Sequence, residues 1–274
     1  MSVFESILYG IVSGMAEFLP VSTQGHQAVL LRLFGQNYRD PLRDLAVHIA
    51  LLAALMLGCR NLLLRIQREQ AIISRSRRRR TYDFNSIYDL RFIKTAAIPF
   101  VVGLIAYFRL QRFEQDPLTL VVFFAINGLV LMIPEYIRKG NKTGRLMTGL
   151  DGILFGIFSA LSCFPGISRT GCGMGYASVR GADRMHTLNW VFLLSLPALA
   201  VWIVFDIIQL FSFGITAITF LRVLSYLLSG LFAFIGGFAG ISVIRFISEK
   251  SSFLGFSYYS FGIAMFTFVL YLIA

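Results

Sequence analysis

Long apolar runs alternate with short polar segments along this chain. Six runs lie near residues 41–60, 92–109, 118–137, 186–210, 217–243 and 254–274, and each is close to the roughly 20 residues that a helix needs to cross a bilayer. Two further apolar segments stop short because Pro20 and Pro165 interrupt them, which suits re-entrant hairpins better than spans. The pattern predicts an all-α polytopic membrane protein with six transmembrane helices and two re-entrant helical hairpins.

The two interrupted segments share one sixteen-residue pattern. It reads GIVSGMAEFLPVSTQG from Gly10 to Gly25 and GIFSALSCFPGISRTG from Gly156 to Gly171, and the copies agree at six positions without a gap. Each copy passes from an apolar stretch through Pro and Gly into a cluster of hydroxyl groups. Paired interruptions in corresponding halves of a membrane protein point to a binding site. The alternative is chance similarity between two apolar segments.

Three predicted spans separate the two copies, and this odd number reverses the direction of the second copy. We therefore expect one membrane domain over residues 1–274, built from inverted repeats of about 1–137 and 138–274. In such an arrangement broken helices meet near the membrane midplane, where their N-terminal ends offer free N–H groups and a positive dipole. The expected ligand is an anion.

Composition and charge agree with this class. Hydrophobic residues make up 57% of the chain and charged residues 14%, the mean hydropathy is +0.72, and the formal net charge is +11. With the first hairpin entering from outside, 18 basic residues face the cytoplasm and six face outward, which is the positive-inside bias. The positive charge is therefore interpreted as topology and as attraction to membrane lipids, not as nucleic-acid binding. It places a cytoplasmic basic loop at about 61–91.

The first copy carries groups for proton and metal chemistry. Glu17 is a carboxylate in an apolar segment, where an ionisable group is functional by default. Ser22, Thr23 and Gln24 follow, and His26 lies one helical turn from the hydroxyls, where it could act as base or acid. Glu17 with substrate oxygens and water could hold Mg²⁺ or Ca²⁺. The alternatives are a Glu17 that only pairs with an arginine to lock the hairpins, and a His26 that only packs.

The second copy carries groups that suit a phosphate. Arg169 is flanked by Ser168, Thr170 and Gly171, directly after the Pro-Gly interruption. A guanidinium beside several N–H and O–H donors has the geometry for a phosphate or diphosphate. His48 lies inside the predicted span near 41–60. We expect it either to support a site residue from behind or to form a hydrogen bond between helices.

At these motifs the chain resembles the bacterial undecaprenyl-diphosphate phosphatases of the bacitracin-resistance type. The shared pieces, in the family's order, are EFLPVSTQGH at Glu17–His26, RDLAVHIALLAAL at Arg43–Leu55, PGISRTG at Pro165–Gly171 and FLLSLPA at Phe192–Ala198. The resemblance implies a membrane enzyme that removes the terminal phosphate of undecaprenyl diphosphate and so recycles the lipid carrier of cell-wall synthesis. It also implies a divalent cation, and a place in the bacterial inner membrane with the active site facing outward.

Carried over by position, Glu17 corresponds to the second acid of the family's paired-glutamate motif, His26 to its histidine, and Ser168 and Arg169 to its Ser-Arg pair. Ser13 stands where the family has its first glutamate, so an i, i+4 pair of carboxylates is reduced to one. Four further positions depart from the family's pattern: Thr23 replaces a serine, Gln24 a threonine, Thr170 a serine and Gly173 a threonine.

Two hypotheses follow from these residues. The first is a polyprenyl-diphosphate phosphatase in which the second hairpin holds the diphosphate, Glu17 holds a cation, His26 transfers a proton and Thr23 or water attacks. The second is a protein that has lost catalysis and binds or moves polyprenyl phosphate, since Ser13 lacks a carboxylate and Gly173 a hydroxyl. Glycines near 230–240 permit close helix packing, either within one chain or in a homodimer.

Overall fold

The structure is a computed structural model that describes residues 1–36, 39–75, 85–107, 116–137, 140–213, 219–250 and 252–273. Within these ranges the chain forms eleven α-helices and a short 3-10 helix, and its only β-structure is an isolated bridge between Lys142 and Ala182. The α-helices are α1 (Val3–Phe18), α2 (Thr23–Leu33), α3 (Pro41–Gly58), α4 (Arg60–Arg75), α5 (Asn85–Tyr107), α6 (Pro117–Tyr136), α7 (Gly149–Ala160), α8 (Arg169–Val179), α9 (Arg184–Phe213), α10 (Phe220–Lys250) and α11 (Leu254–Ile273).

Five of the described helices, α3, α6, α9, α10 and α11, are long and apolar enough to cross a membrane. Each coincides with a predicted span, so the chain is a multi-pass membrane protein. The remaining predicted span, near 92–109, corresponds to α5, which is 23 residues long but is not among the five. Its first half carries Asp89, Arg91 and Lys94, and these charges lower its mean hydropathy.

The first part of the basic segment predicted as a loop over about 61–91 is helical. α4 begins at Arg60, directly after α3, and packs on α5. Its apolar side chains Leu62, Leu63 and Ile66 belong to the same hydrophobic cluster as Phe92 and Ile93 of α5. Residues 76–84, which include the arginine run, lie outside the described residues.

The interrupted segments pack mainly against helices from the other half of the chain. α1 lies along α10, while α7 lies along α5. The long helix that follows each hairpin also packs against a helix of the other half, since α3 packs on α10 and α9 packs on α5. In addition, α3 and α9 contact each other. Each hairpin is therefore held between long helices of both halves, which brings the two interruptions together.

Glycine allows the closest of these approaches. A Cβ added to Gly10 of α1 would lie 2.4 Å from the carbonyl oxygen of Ser229, and one added to Gly236 of α10 would lie 2.6 Å from that of Ile11. Such distances are too short for any side chain, so only glycine fits at either position. The glycine face of α10 near residues 230–240 thus packs within the chain.

Candidate active site

The two interruptions meet at the ends of four short helices. Ser22 caps α2 and Ser168 caps α8, each by accepting a hydrogen bond from the backbone N–H of the third residue that follows it. The Ser22 hydroxyl also accepts the N–H of Gly166 across the junction, at 2.9 Å. Ser22 has a φ of 66°, which is uncommon outside glycine and marks a constrained backbone. Two helix N-termini therefore start at one place.

Asn127 of α6 joins the two interruptions. Its side-chain oxygen accepts the N–H of Ser168 at 2.8 Å, and its amide nitrogen donates to the carbonyl of Pro20 and to the Ser260 hydroxyl, both at 3.0 Å. The side chain is fully buried. Since buried backbone groups need partners, Asn127 fixes the relative position of the hairpins.

A buried ion pair connects the hairpins as well. Arg169 Nη2 donates to Glu17 Oε1 at 2.8 Å and to the Ser195 hydroxyl at 2.9 Å. The second carboxylate oxygen of Glu17 accepts the Thr23 hydroxyl at 2.9 Å. The side chains of Glu17 and Arg169 are only 7% and 9% exposed. Glu17 therefore pairs with an arginine, which was the alternative prediction for it, through a charge-assisted bond in a shielded setting.

A polar cavity lies beside this ion pair. Seven of the predicted site residues line it, namely Glu17, Ser22, Thr23, Gln24, His48, Ser168 and Arg169. Other lining residues include Gln27, Arg39 and Trp202. Two buried atoms here, Arg169 Nε and Gln24 Oε1, have no hydrogen-bond partner among the described residues. Buried polar atoms are normally paired, so these two atoms are suited to a ligand.

Three other predicted site residues lie behind the cavity wall. The Thr170 hydroxyl donates to the carbonyl of Phe18, and the Gly171 N–H donates to the hydroxyl of Ser168. Ser13 is fully buried and accepts a hydrogen bond from Gln27 Nε2 at 3.0 Å. Through these hydrogen bonds Thr170, Gly171 and Ser13 stabilise the two interrupted segments.

Gly173 faces apolar side chains. A Cβ added there would lie 3.0 Å from Val191 and 3.2 Å from Phe155. The hydroxyl that is missing at Gly173 has no room at this position without movement of its neighbours. The glycine is matched to its packing.

His26 points away from the polar cavity. Its Nδ1 lies 2.7 Å from the carbonyl oxygen of Ser22, and its Nε2 lies 2.7 Å from the Tyr259 hydroxyl of α11. Its ring lines a second, mainly apolar cavity of about 540 Å³ between α1, α10 and α11. Both ring nitrogens are thus engaged within the protein.

His48 faces the polar cavity instead. Its Nδ1 lies 2.6 Å from the Asp206 carboxylate of α9, and its ring stacks on Trp202 with the centroids 5.9 Å apart. Because Asp206 holds Nδ1, Nε2 is the nitrogen left to exchange a proton with a molecule in the cavity.

The described residues do not form a cation site on their own. Both Glu17 oxygens already accept hydrogen bonds, one from Arg169 and one from Thr23. No group of three or more acidic, histidine or cysteine side chains that could hold a metal occurs among the described residues. Any divalent cation would have to take most of its ligands from substrate and water.

Sequence reasoning missed Asn127, Ser195, Asp206 and Arg39. Asn127 and Asp206 are polar residues inside apolar runs, which is the signal that identified Glu17 and could have identified them. Ser195 lies within the quoted FLLSLPA piece, but nothing local indicates that its hydroxyl bonds to Arg169. Arg39 is one of the six basic residues expected to face outward, and its local sequence indicates only a topological charge.

The fold and the cavity define a multi-pass membrane protein with a polar cavity between two interrupted helical segments. The family model described as "Bacitracin resistance protein BacA" matches residues 6–266. The chain therefore belongs to this family.

Curated relatives are similar over nearly the whole chain. Undecaprenyl-diphosphatase 1 of Shouchella clausii is 28% identical over 272 residues, covering 98% of this chain and 96% of the relative. Undecaprenyl-diphosphatase of Carboxydothermus hydrogenoformans is 29% identical over 259 residues, covering 94% of each chain. That of Desulforudis audaxviator is 33% identical over 202 residues, covering 72% of this chain and 73% of the relative.

Proposed function

We propose that this protein hydrolyses undecaprenyl diphosphate to the monophosphate and inorganic phosphate, and so recycles the lipid carrier of cell-wall synthesis. The observation that carries the proposal is the cavity at the hairpin junction, where the Arg169 guanidinium and two helix N-termini adjoin. Such a combination favours a phosphate group. The relatives are named as phosphatases, so a protein that only binds or moves the lipid is not favoured.

In this proposal, Arg169, Gln24 and the N–H groups at the starts of α2 and α8 hold the terminal phosphate. Water or the Thr23 hydroxyl attacks the terminal phosphorus. The bond from that phosphorus to the bridging oxygen breaks, and its electron pair stays on the oxygen, which becomes part of polyprenyl monophosphate. If Thr23 attacks, a phosphothreonine forms first and water then releases the phosphate.

The proton of the nucleophile passes to a group that lines the cavity. Glu17 already accepts the Thr23 hydroxyl, and His48 presents the ring nitrogen opposite its bond to Asp206. This orientation is the one in which a carboxylate holds a histidine for proton transfer. A catalytic role for His26 stays a prediction, since its hydrogen bonds support only a role in fixing the Ser22 turn.

We further propose six transmembrane helices and two re-entrant hairpins in inverted repeats, with the site open to the outside of the inner membrane. The helix contacts support the repeats, because the first helix of each hairpin packs against a long helix of the other half: α1 against α10, and α7 against α5. The cavity lies towards the end of the bundle where α3 begins and α5 and α9 finish, because His48, Leu104 and Trp202 line it. The basic α4 segment lies at the opposite end of α3. A homodimer stays a prediction.

Phosphate release from undecaprenyl diphosphate by the purified protein in detergent tests the activity. We expect turnover by the wild type and at most a trace by Arg169→Ala. The assay is run with Mg²⁺, with Ca²⁺ and with a chelator, because a divalent cation is a separate prediction and no step above is routed through one. Equal rates for the wild type and Arg169→Ala would contradict the proposal.

A further inference from the structure

The polar cavity contains a second guanidinium group. Arg39, just before α3, lines the cavity together with Arg169, and its side chain is 21% exposed. Arg169 is already paired with Glu17 at 2.8 Å. Two guanidinium groups and one carboxylate therefore line the cavity, and the Asp44 carboxylate lies beside Arg39 outside the lining.

Arg39 is held in place by a network of buried groups. Its Nη1 donates to Gln27 Oε1 at 2.9 Å and lies 3.8 Å from Asp44 Oδ2. Asp44 is itself anchored, since it accepts the Tyr9 hydroxyl at 2.8 Å and the Arg43 Nε at 3.3 Å. A guanidinium whose position is fixed before the ligand arrives loses little freedom on binding.

The same network reaches the position where the paired carboxylate is missing. Gln27 bridges Arg39 and Ser13, because its amide nitrogen donates to the Ser13 hydroxyl at 3.0 Å while its oxygen accepts from Arg39. A glutamate in place of Ser13 would lie one helical turn before Glu17 and add a second carboxylate for a cation. This chain instead has the neutral hydroxyl of Ser13, which is connected through the Gln27 amide to the Arg39 guanidinium.

We propose that Arg39 is a second diphosphate-binding group, which supplies the positive charge that a divalent cation supplies in phosphoryl-transfer sites with enough carboxylates. The inference rests on the proposed function. A guanidinium has five N–H donors in a planar fork that matches phosphate oxygens. Arg39 and Arg169 would hold the diphosphate between them without a metal ligand set.

Binding of inorganic pyrophosphate to the purified full chain tests this without any turnover. Calorimetric titration in detergent with EDTA should detect binding to the wild type, and Arg39→Gln should weaken it about tenfold or more, as expected for a charge-assisted contact. Arg39→Lys should lie between the two. Arg32→Gln, which removes an exposed charge in the last turn of α2, is the matched control and should bind like the wild type. Unchanged affinity in Arg39→Gln, or wild-type binding only after Mg²⁺ is added, would overturn the proposal.

A double variant replaces the Arg39 guanidinium with a second carboxylate that could bind a divalent cation. Wild-type phosphate release should persist in EDTA, whereas Ser13→Glu with Arg39→Gln should be inactive in EDTA and regain activity with Mg²⁺ or Ca²⁺. Melting temperatures identify variants that fail to fold, and Arg39→Lys then serves as the remaining probe. Wild-type turnover that stops in EDTA and returns with Mg²⁺ refutes the role of Arg39 but leaves the proposed function intact. No turnover under any condition, with pyrophosphate binding that depends on Arg39, refutes the proposed function alone.

Discussion

The Glu17–Arg169 pair has two separable roles, as a link between the hairpins and as part of the phosphate site. Replacing Arg169 with methionine keeps much of the side-chain volume but removes the bonds to Glu17 and Ser195, at 2.8 and 2.9 Å. The Glu17 side chain, 7% exposed, is then left as an unpaired buried charge. Losing one partner of a buried pair typically costs about 3–5 kcal/mol.

The double variant Glu17→Gln with Arg169→Met removes both charges together. Because no uncompensated charge is left, it should recover most of the roughly 3–5 kcal/mol lost in Arg169→Met. Phosphate release should nevertheless stay at least about 100-fold below the wild type, as is usual when a group that stabilises transition-state charge is lost. Thermal unfolding in detergent measures the stability, and phosphate release measures the activity.

The result that would refute this reasoning is recovery of both properties in the double variant. Activity that returned with stability would mean that the pair only locks the hairpins, and that the Arg169 guanidinium does not bind phosphate. Glu17→Gln alone is the matched control, since it keeps the guanidinium while weakening the link. It should retain more pyrophosphate affinity than Arg169→Met.

Three further predictions concern the junction and the histidines. Gly25→Ala places a Cβ 2.8 Å from the backbone of the second interruption and should destabilise the protein by about 1–3 kcal/mol in thermal unfolding, whereas Gly255→Ala, with nothing within 4 Å, should not. Asn127→Ala leaves buried backbone groups without partners, so it should lower stability by about 1–3 kcal/mol and also reduce phosphate release. His48→Gln should lower turnover about 100-fold and remove the rise of rate with pH that a general base produces. His26→Gln should keep that rise. The opposite pattern in the pH–rate profiles would mean that His26, and not His48, transfers the proton.

Much of the site was recognisable because its signals are local. Glu17 and Arg169 are charges in apolar segments next to Pro and Gly, where a charge is costly and so indicates a partner or ligand. The two capping serines follow from the same interruptions. The direction of each side chain was not predictable, because it depends on which helices pack around it. His26 turns to Tyr259 on α11, whereas His48 turns to Asp206 on α9.

The sequence by itself determined the class of protein, the positions of five spans and the identity of the two interrupted segments. Apolar length and helix-breaking residues act over neighbouring positions, so these features can be read without the fold. Only the tertiary structure decided which polar groups share the cavity. His48 meets Asp206 across 158 positions and Arg169 meets Glu17 across 152, and Gln27 of α2 accepts a hydrogen bond from Arg39, which lines the same cavity. Such contacts depend on how α1, α3 and α9 pack together, and packing joins residues that no local pattern connects.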